Sequence, residues 1–114
     1  MKGIIQKLSA LGLSEYEAKV YLSLLREHPA TAYEIGKSSG VPTSKVYEVI
    51  KKLLQKNVLT VMEEKGTKRY VPLEPEELLG RYKSSAEALI GSLRKELQAI
   101  KGDQELSHIW NISD

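Results

Sequence analysis

The feature that most constrains this chain is the tripeptide Gly40-Val41-Pro42, set between two helix-forming runs, Thr31 to Ser39 and Thr43 to Asn57. Gly40 suits the left-handed residue that closes a helix, and Pro42 cannot continue that helix but can begin the next. Thr31, followed three residues later by Glu34, makes a capping box that satisfies free N–H groups at the start of the first helix, about Ala32 to Ser39. Gly36 supplies the small residue wanted where two helices touch. The pattern predicts two helices joined by one sharp corner, a helix-turn-helix.

On the second helix Val46, Ile50 and Leu53 recur at i, i+4 and i+7, so with Val49 and Leu54 at the margins they are expected to face the core. The opposite face is then Ser44, Glu48, Lys51 and Gln55, flanked by Thr43, Lys45, Tyr47 and Lys52. Two meanings are open for it. In isolation it is an ordinary solvated helix face. If the helix enters a DNA major groove, its first two turns carry hydroxyl, amide and cationic groups suited to base edges.

After Asn57 the period changes to two, with Leu59 and Val61 alternating against Thr60 and Met62. A charged tip, Glu63 to Thr67, and the run Lys68-Arg69-Tyr70-Val71 complete a predicted β-hairpin in which Gly66 provides the positive φ of the turn. A helix-turn-helix followed by a hairpin is the order of a winged helix. Lys65, Lys68 and Arg69 would then reach phosphate or the minor groove from the wing. Alternatively, the charges only keep a solvated hairpin from pairing edge to edge. Glu63 and Glu64 oppose the DNA reading unless they turn away. From Thr31 to Arg69 there are eight Lys or Arg against four Glu, in a chain whose net charge is only +2. Such a local cationic surplus is expected of a surface that neutralises phosphates.

Upstream, Ser14 and Glu17 form a second capping box ahead of a helix to about Glu27, with Ala18, Tyr21, Leu22 and Leu25 as its core stripe. His28 would favour the negative end of that helix dipole. Ile4, Ile5, Leu8 and Leu11 suggest a short amphipathic helix rather than a secretion signal.

The runs L-G-L-S-E-Y-E-A-K-V-Y-L-S-L-L, T-A-Y-E-I-G-K-S-S-G-V-P-T-S-K-V-Y-E-V-I-K-K-L and K-R-Y-V-P-L-E-P-E-E-L-L, over roughly Leu11 to Leu79, resemble the N-terminal domain of TrmB-type transcriptional regulators. That resemblance implies a DNA-binding regulator of a kind common in archaea and present in bacteria. It further implies groove-facing Thr43, Ser44, Lys45 and Tyr47, and a wing at Lys65 to Arg69. Many members of the family continue into a large C-terminal domain that binds sugars or other small effectors, whereas this sequence stops at Asp114. The segment His108 to Ser113 looks like the first strand of such a domain, after a linker-like Gly102-Asp103-Gln104; either the chain is a fragment or short family member in which Trp110 awaits a partner, or Trp110 packs on the long helix.

Between these lies a third region. Pro75 with Glu76 and Glu77 suits a helix start, and the helix is expected to reach Lys101, about 40 Å at the usual rise. Gly80 and Gly91 each cost about 1 kcal/mol relative to Ala, so such a helix needs further contacts. Leu79, Tyr82, Ala86, Leu89 and Leu93 follow one 3-4 register, and Ala86, Ile90, Leu93, Leu97 and Ile100 another. Seams of this kind predict a helix pair between two subunits, a coiled-coil homodimer; the alternative is a helix folded back on its own domain.

The expected organisation is a mainly α chain with a small β-hairpin: a winged helix-turn-helix over 1–73, a long dimerisation helix over 74–101 and a tail over 102–114. With no Phe, dimerisation is an attractive source of burial. The absence of Cys removes disulfides and thiolate zinc sites and is compatible with the cytoplasm. No apolar run approaches the ~18 residues of a membrane span. His28 and His108 are far apart, no glycine-rich phosphate loop is present, and Glu63-Glu64 and Glu76-Glu77 are more simply a hairpin tip and a helix start than a catalytic pair. No enzyme, cofactor, metal or small-molecule effector site is expected within the chain. The expected function is a homodimeric, sequence-specific regulator on double-stranded DNA, and the rival is a winged-helix adaptor that binds protein instead.

Overall fold

The computed structural model describes the backbone of residues 2–113 and the side chains of residues 3–104. In chain order the elements are α1 (Lys2–Leu11), α2 (Glu15–Arg26), α3 (Ala32–Ser38), α4 (Thr43–Gln55), β1 (Leu59–Glu64), β2 (Thr67–Pro72) and α5 (Pro75–Ser113). They form two compact units, Met1–Leu78 and Leu79–Asp114.

Within the first unit both capping boxes are formed. Ser14 Oγ accepts from the Glu17 N–H at 3.1 Å while Glu17 Oε1 accepts from the Ser14 N–H at 2.8 Å, and Thr31 and Glu34 make the same exchange at 3.2 and 2.9 Å. Each box satisfies two donors that the opening turn of a helix cannot satisfy itself. At the other end of α2, the carbonyl of Leu24 accepts from His28 Nδ1 at 2.7 Å, which fixes the ring nitrogen as the donor.

α2 is the hub of the core. Besides the expected Ala18, Tyr21 and Leu22, it buries Glu17, Val20, Ser23 and Leu24, while Leu25 is only half-buried. A single amphipathic stripe under-describes it because α1, α3, α4 and β2 all pack against it. Its polar groups are accordingly paired: Ser23 Oγ meets Ser38 Oγ at 2.6 Å, and the Tyr21 hydroxyl donates to the Leu73 carbonyl at 2.7 Å. Burial, then the nearby Glu74 carboxylate, pushes the Tyr21 phenol up to about 12.

α4 closes the core from the other side with Val46, Val49, Ile50 and Leu53, each worth roughly 1.5–3 kcal/mol of burial. The corner before it is as the sequence requires at Gly40, where φ is +80°. Gly36 touches α4 less tightly than its place in the motif suggested. A Cβ there would lie 3.5 Å from Val46 Cγ2, ordinary van der Waals contact.

β1 and β2 pair antiparallel from Leu59↔Pro72 to Glu64↔Thr67, leaving only Lys65 and Gly66 in the turn. Their φ values of +50° and +80° fit a type I′ turn, whose twist matches that of the flanking strands. Glu63, Glu64 and Thr67 thus belong to strands rather than to a loose tip. Ala30 bridges to Tyr70, with N–H···O bonds of 3.1 and 2.8 Å running both ways, so the segment before α3 is tied to β2.

α5 differs from expectation at both ends. Its first turn belongs to the first unit, because Leu78 is buried there. At the far end the backbone is helical through Ser113, where a strand over His108 to Ser113 and a linker at Gly102-Asp103-Gln104 were expected. A single glycine inside a long helix costs only about 1 kcal/mol, too little to end it. The side chain of Trp110 lies outside the described residues. In the second unit Leu79, Ala86, Leu89, Ile90, Leu93, Leu97 and Ile100 are exposed, and Tyr82 is half-buried.

Candidate nucleic-acid interface

The same packing that buries Val46, Val49, Ile50 and Leu53 turns the remaining α4 positions outward. Thr43, Ser44, Lys45, Tyr47, Glu48, Lys51, Lys52 and Gln55 are all exposed, Tyr47 to 72%. Pro42 occupies the N-cap and no side chain caps the helix there, so the positive end of the α4 dipole opens onto this face. Glu48 is its carboxylate, lying 4.0 Å from Lys45 and 3.7 Å from Lys52. It offsets part of the charge of both lysines.

On the wing, Lys65 is exposed in the turn, and Lys68 is exposed opposite Glu63 in the register. Arg69 is different. It is half-buried, and its guanidinium lies 3.7 Å from Glu34, the carboxylate of the α3 capping box. Hydrogen bonds from the Thr31 backbone and hydroxyl, and then the Arg69 charge, hold Glu34 below the usual carboxylate range. The sequence offered Arg69 as a free phosphate ligand, but a helix cap already engages it. On β2, burial and then Tyr47 push the Tyr70 phenol up.

Sequence reasoning predicted α3 but placed none of its residues in the site. Ala32 and Ile35 take its core side, leaving Tyr33 and Lys37 outward, with Tyr33 69% exposed. The Lys37 ammonium sits 4.9 Å from the centre of the Tyr33 ring. Between α3 and α4 runs a groove of about 310 Å³ lined by Ala32, Tyr33, Gly36, Lys37, Thr43, Val46 and Tyr47. The i, i+4 spacing of Tyr33 and Lys37 off the core stripe was the available clue. Among the described residues no three of His, Cys, Asp and Glu gather where they could hold a metal ion, and no helix is long and apolar enough to cross a membrane.

Three core helices, a tight corner and a hairpin tied to the segment before α3 define the winged-helix class. The chain belongs to the TrmB family, described as sugar-specific transcriptional regulators, whose profile matches residues 8–76. It is similar to the uncharacterised protein YrhO of Bacillus subtilis, with 36% identity over 98% of this chain and 41% of that protein. It is also similar to the sugar-sensing transcriptional regulator TrmBL1 of Pyrococcus furiosus, with 34% identity over 96% of this chain and 33% of that protein. Among solved structures it resembles TrmBL2, described as an archaeal chromatin protein with a novel mode of DNA binding, at a TM-score of 0.74 and 26% identity over 91% of this chain and 39% of that one. The chain spans less than half the length of these relatives.

Proposed function

We propose that this chain is the DNA-binding part of a transcriptional regulator, acting as a sequence-specific homodimer. The observation that carries the proposal is the α4 surface: hydroxyl, cationic and phenolic side chains, all exposed, beside the open end of a helix dipole. In this reading Thr43, Ser44, Lys45, Tyr47 and Glu48 meet base edges or the groove wall, and Lys51 meets phosphate. Lys65 and Lys68 approach the backbone from the wing, and Arg69 joins them by exchanging its Glu34 partner.

The exposed apolar seam of α5, Leu79, Ala86, Leu89, Leu93, Leu97 and Ile100 with Tyr82, pairs with that of a second copy as a coiled coil. Residues 1–73 then bind DNA and 74–101 assemble the dimer, whose two reading helices address half-sites about 34–36 Å apart or a multiple of it. A small-molecule effector has no assigned place in this part of the protein, and a cytoplasmic setting follows from work on DNA.

The test is titration of the purified chain with labelled duplex at two salt concentrations. Strong binding at low salt that falls steeply as salt rises is the expected result. Indifference to salt, or no binding, overturns the proposal in favour of a protein-binding adaptor.

A further inference from the structure

We propose that the groove between α3 and α4 seats the sugar-phosphate backbone of duplex DNA, with Lys37 on a phosphate and the rings of Tyr33 and Tyr47 against deoxyribose. It rests on the DNA-binding reading above, and it adds α3 to an interface otherwise built from α4 and the wing.

The floor of the groove is Ala32, Gly36 and Val46, and its walls are two phenol rings left mostly in water. An apolar ring body with a polar tip suits an occupant that is part carbon and part oxygen. At the mouth, Lys37 rests over the Tyr33 ring, so the cation is already positioned before anything binds. Among the described residues no carboxylate lines the groove, and its charge therefore selects an anion. Thr43 and Tyr47 belong both to this groove and to the α4 face assigned to the major groove. A strand bordering that major groove has to pass the flank of the preceding helix, which in helix-turn-helix proteins crosses the backbone. The groove is also shallow enough to leave both rings exposed, which fits a polymer held by neighbouring contacts on either side better than a small molecule that needs enclosure.

Salt titrations on a fluorescently labelled mixed-sequence duplex compare the parent chain with Lys37→Ala, Tyr33→Ala and Tyr33→Phe. Lys37→Ala is expected to lower the slope of log affinity against log salt by about 0.9, making the fall between roughly 50 and 200 mM about 3.5-fold shallower. Tyr33→Ala is expected to weaken poly(dA)·poly(dT) and poly(dA)·poly(dU) by the same factor, since these differ only in the thymine methyl, and Tyr33→Phe to restore the loss. An unchanged slope in Lys37→Ala with binding otherwise intact overturns the backbone seat and leaves the α4 reading standing. A selective loss on the thymine polymer in Tyr33→Ala overturns it too, because the ring would then read a base. Failure of the parent chain to bind any duplex removes both. Tyr33 and Lys37 are exposed, so thermal melts of the variants are expected to coincide with the parent's.

Discussion

Lys56, which caps the C-terminus of α4, places its ammonium 2.9 Å from the carboxylate of Glu17 in the first turn of α2. Glu17 is 3% exposed at its side chain and already accepts from the Ser14 N–H, so one carboxylate closes a helix cap and ties two core helices together. Burial raises its pKa, but the hydrogen bonds and charge of Lys56 and the bonds from Ser14 outweigh this, and the carboxyl is held below its ordinary value. A carboxyl depressed on folding adds stability at pH above its unfolded value and loses it as pH falls through the folded one. Glu17→Gln should therefore cost about 1–2 kcal/mol at neutral pH and flatten the acid limb of stability. Urea titrations across a pH series would check both, and an unaltered acid limb would assign that limb to other groups.

The two glycines of the helix-turn-helix should respond oppositely to alanine. Gly40 has φ of +80°, where a Cβ is strained, so Gly40→Ala should lower stability by about 1 kcal/mol or more. Gly36 lies within a helix with room for a methyl at 3.5 Å from Val46, so Gly36→Ala should raise it by up to about 1 kcal/mol. Thermal melts of the pair decide the matter, and destabilisation by Gly36→Ala would mean that α3 and α4 pack closer than the 3.5 Å clearance to Val46 allows for.

Lys51→Ala should weaken duplex binding for every sequence and reduce its salt slope by about 0.9. Substitutions of Thr43 or Ser44 should instead shift base preference by about 0.5–1.5 kcal/mol per lost hydroxyl hydrogen bond, with the slope intact. Salt titrations on a panel of duplexes separate the two behaviours; equal effects at all three positions would make α4 a purely electrostatic surface.

The Arg69–Glu34 pair makes a distinct prediction. Glu34→Gln should tighten DNA binding at low salt, because it removes a carboxylate beside the interface and releases the guanidinium. Arg69→Ala should then cost more in the Glu34→Gln background than in the parent. A double-mutant cycle reads this coupling directly, and independence of the two changes would mean Arg69 stays away from phosphate.

Replacing Leu93 by Asp on the exposed seam of α5 should leave the first unit folded and convert a dimer to a monomer. Sedimentation equilibrium would report the mass and circular dichroism the helix content. A parent chain that is itself monomeric at high concentration would refute the helix pair.

Much of the fold was legible because its elements are punctuated locally. Ser14/Glu17, Thr31/Glu34, Gly40-Val41-Pro42 and Gly66 each specify an end or a turn without knowledge of the rest of the chain, and the structure has each of them where it was expected. The spacing of Val46, Ile50 and Leu53 likewise oriented α4 and exposed its opposite face. What escaped were long-range relations. Glu17 and Lys56 are 39 residues apart, and nothing near either marks the other. The engagement of Arg69 by Glu34 and the groove under Tyr33 arise only when α3 meets the wing and α4 in space. The strand expected at His108 to Ser113 failed because a short apolar run has no period of its own, and the helix already under way continued through it.

The two hydrogen bonds between Ala30 and Tyr70 fasten β2 to the segment leading into α3, so the hairpin does not hang from its own turn alone. In the proposed DNA complex, a hairpin tethered in this way would leave part of the adjustment to the duplex, by widening, narrowing or bending. Sequences that deform easily would be favoured even at base pairs that no side chain touches.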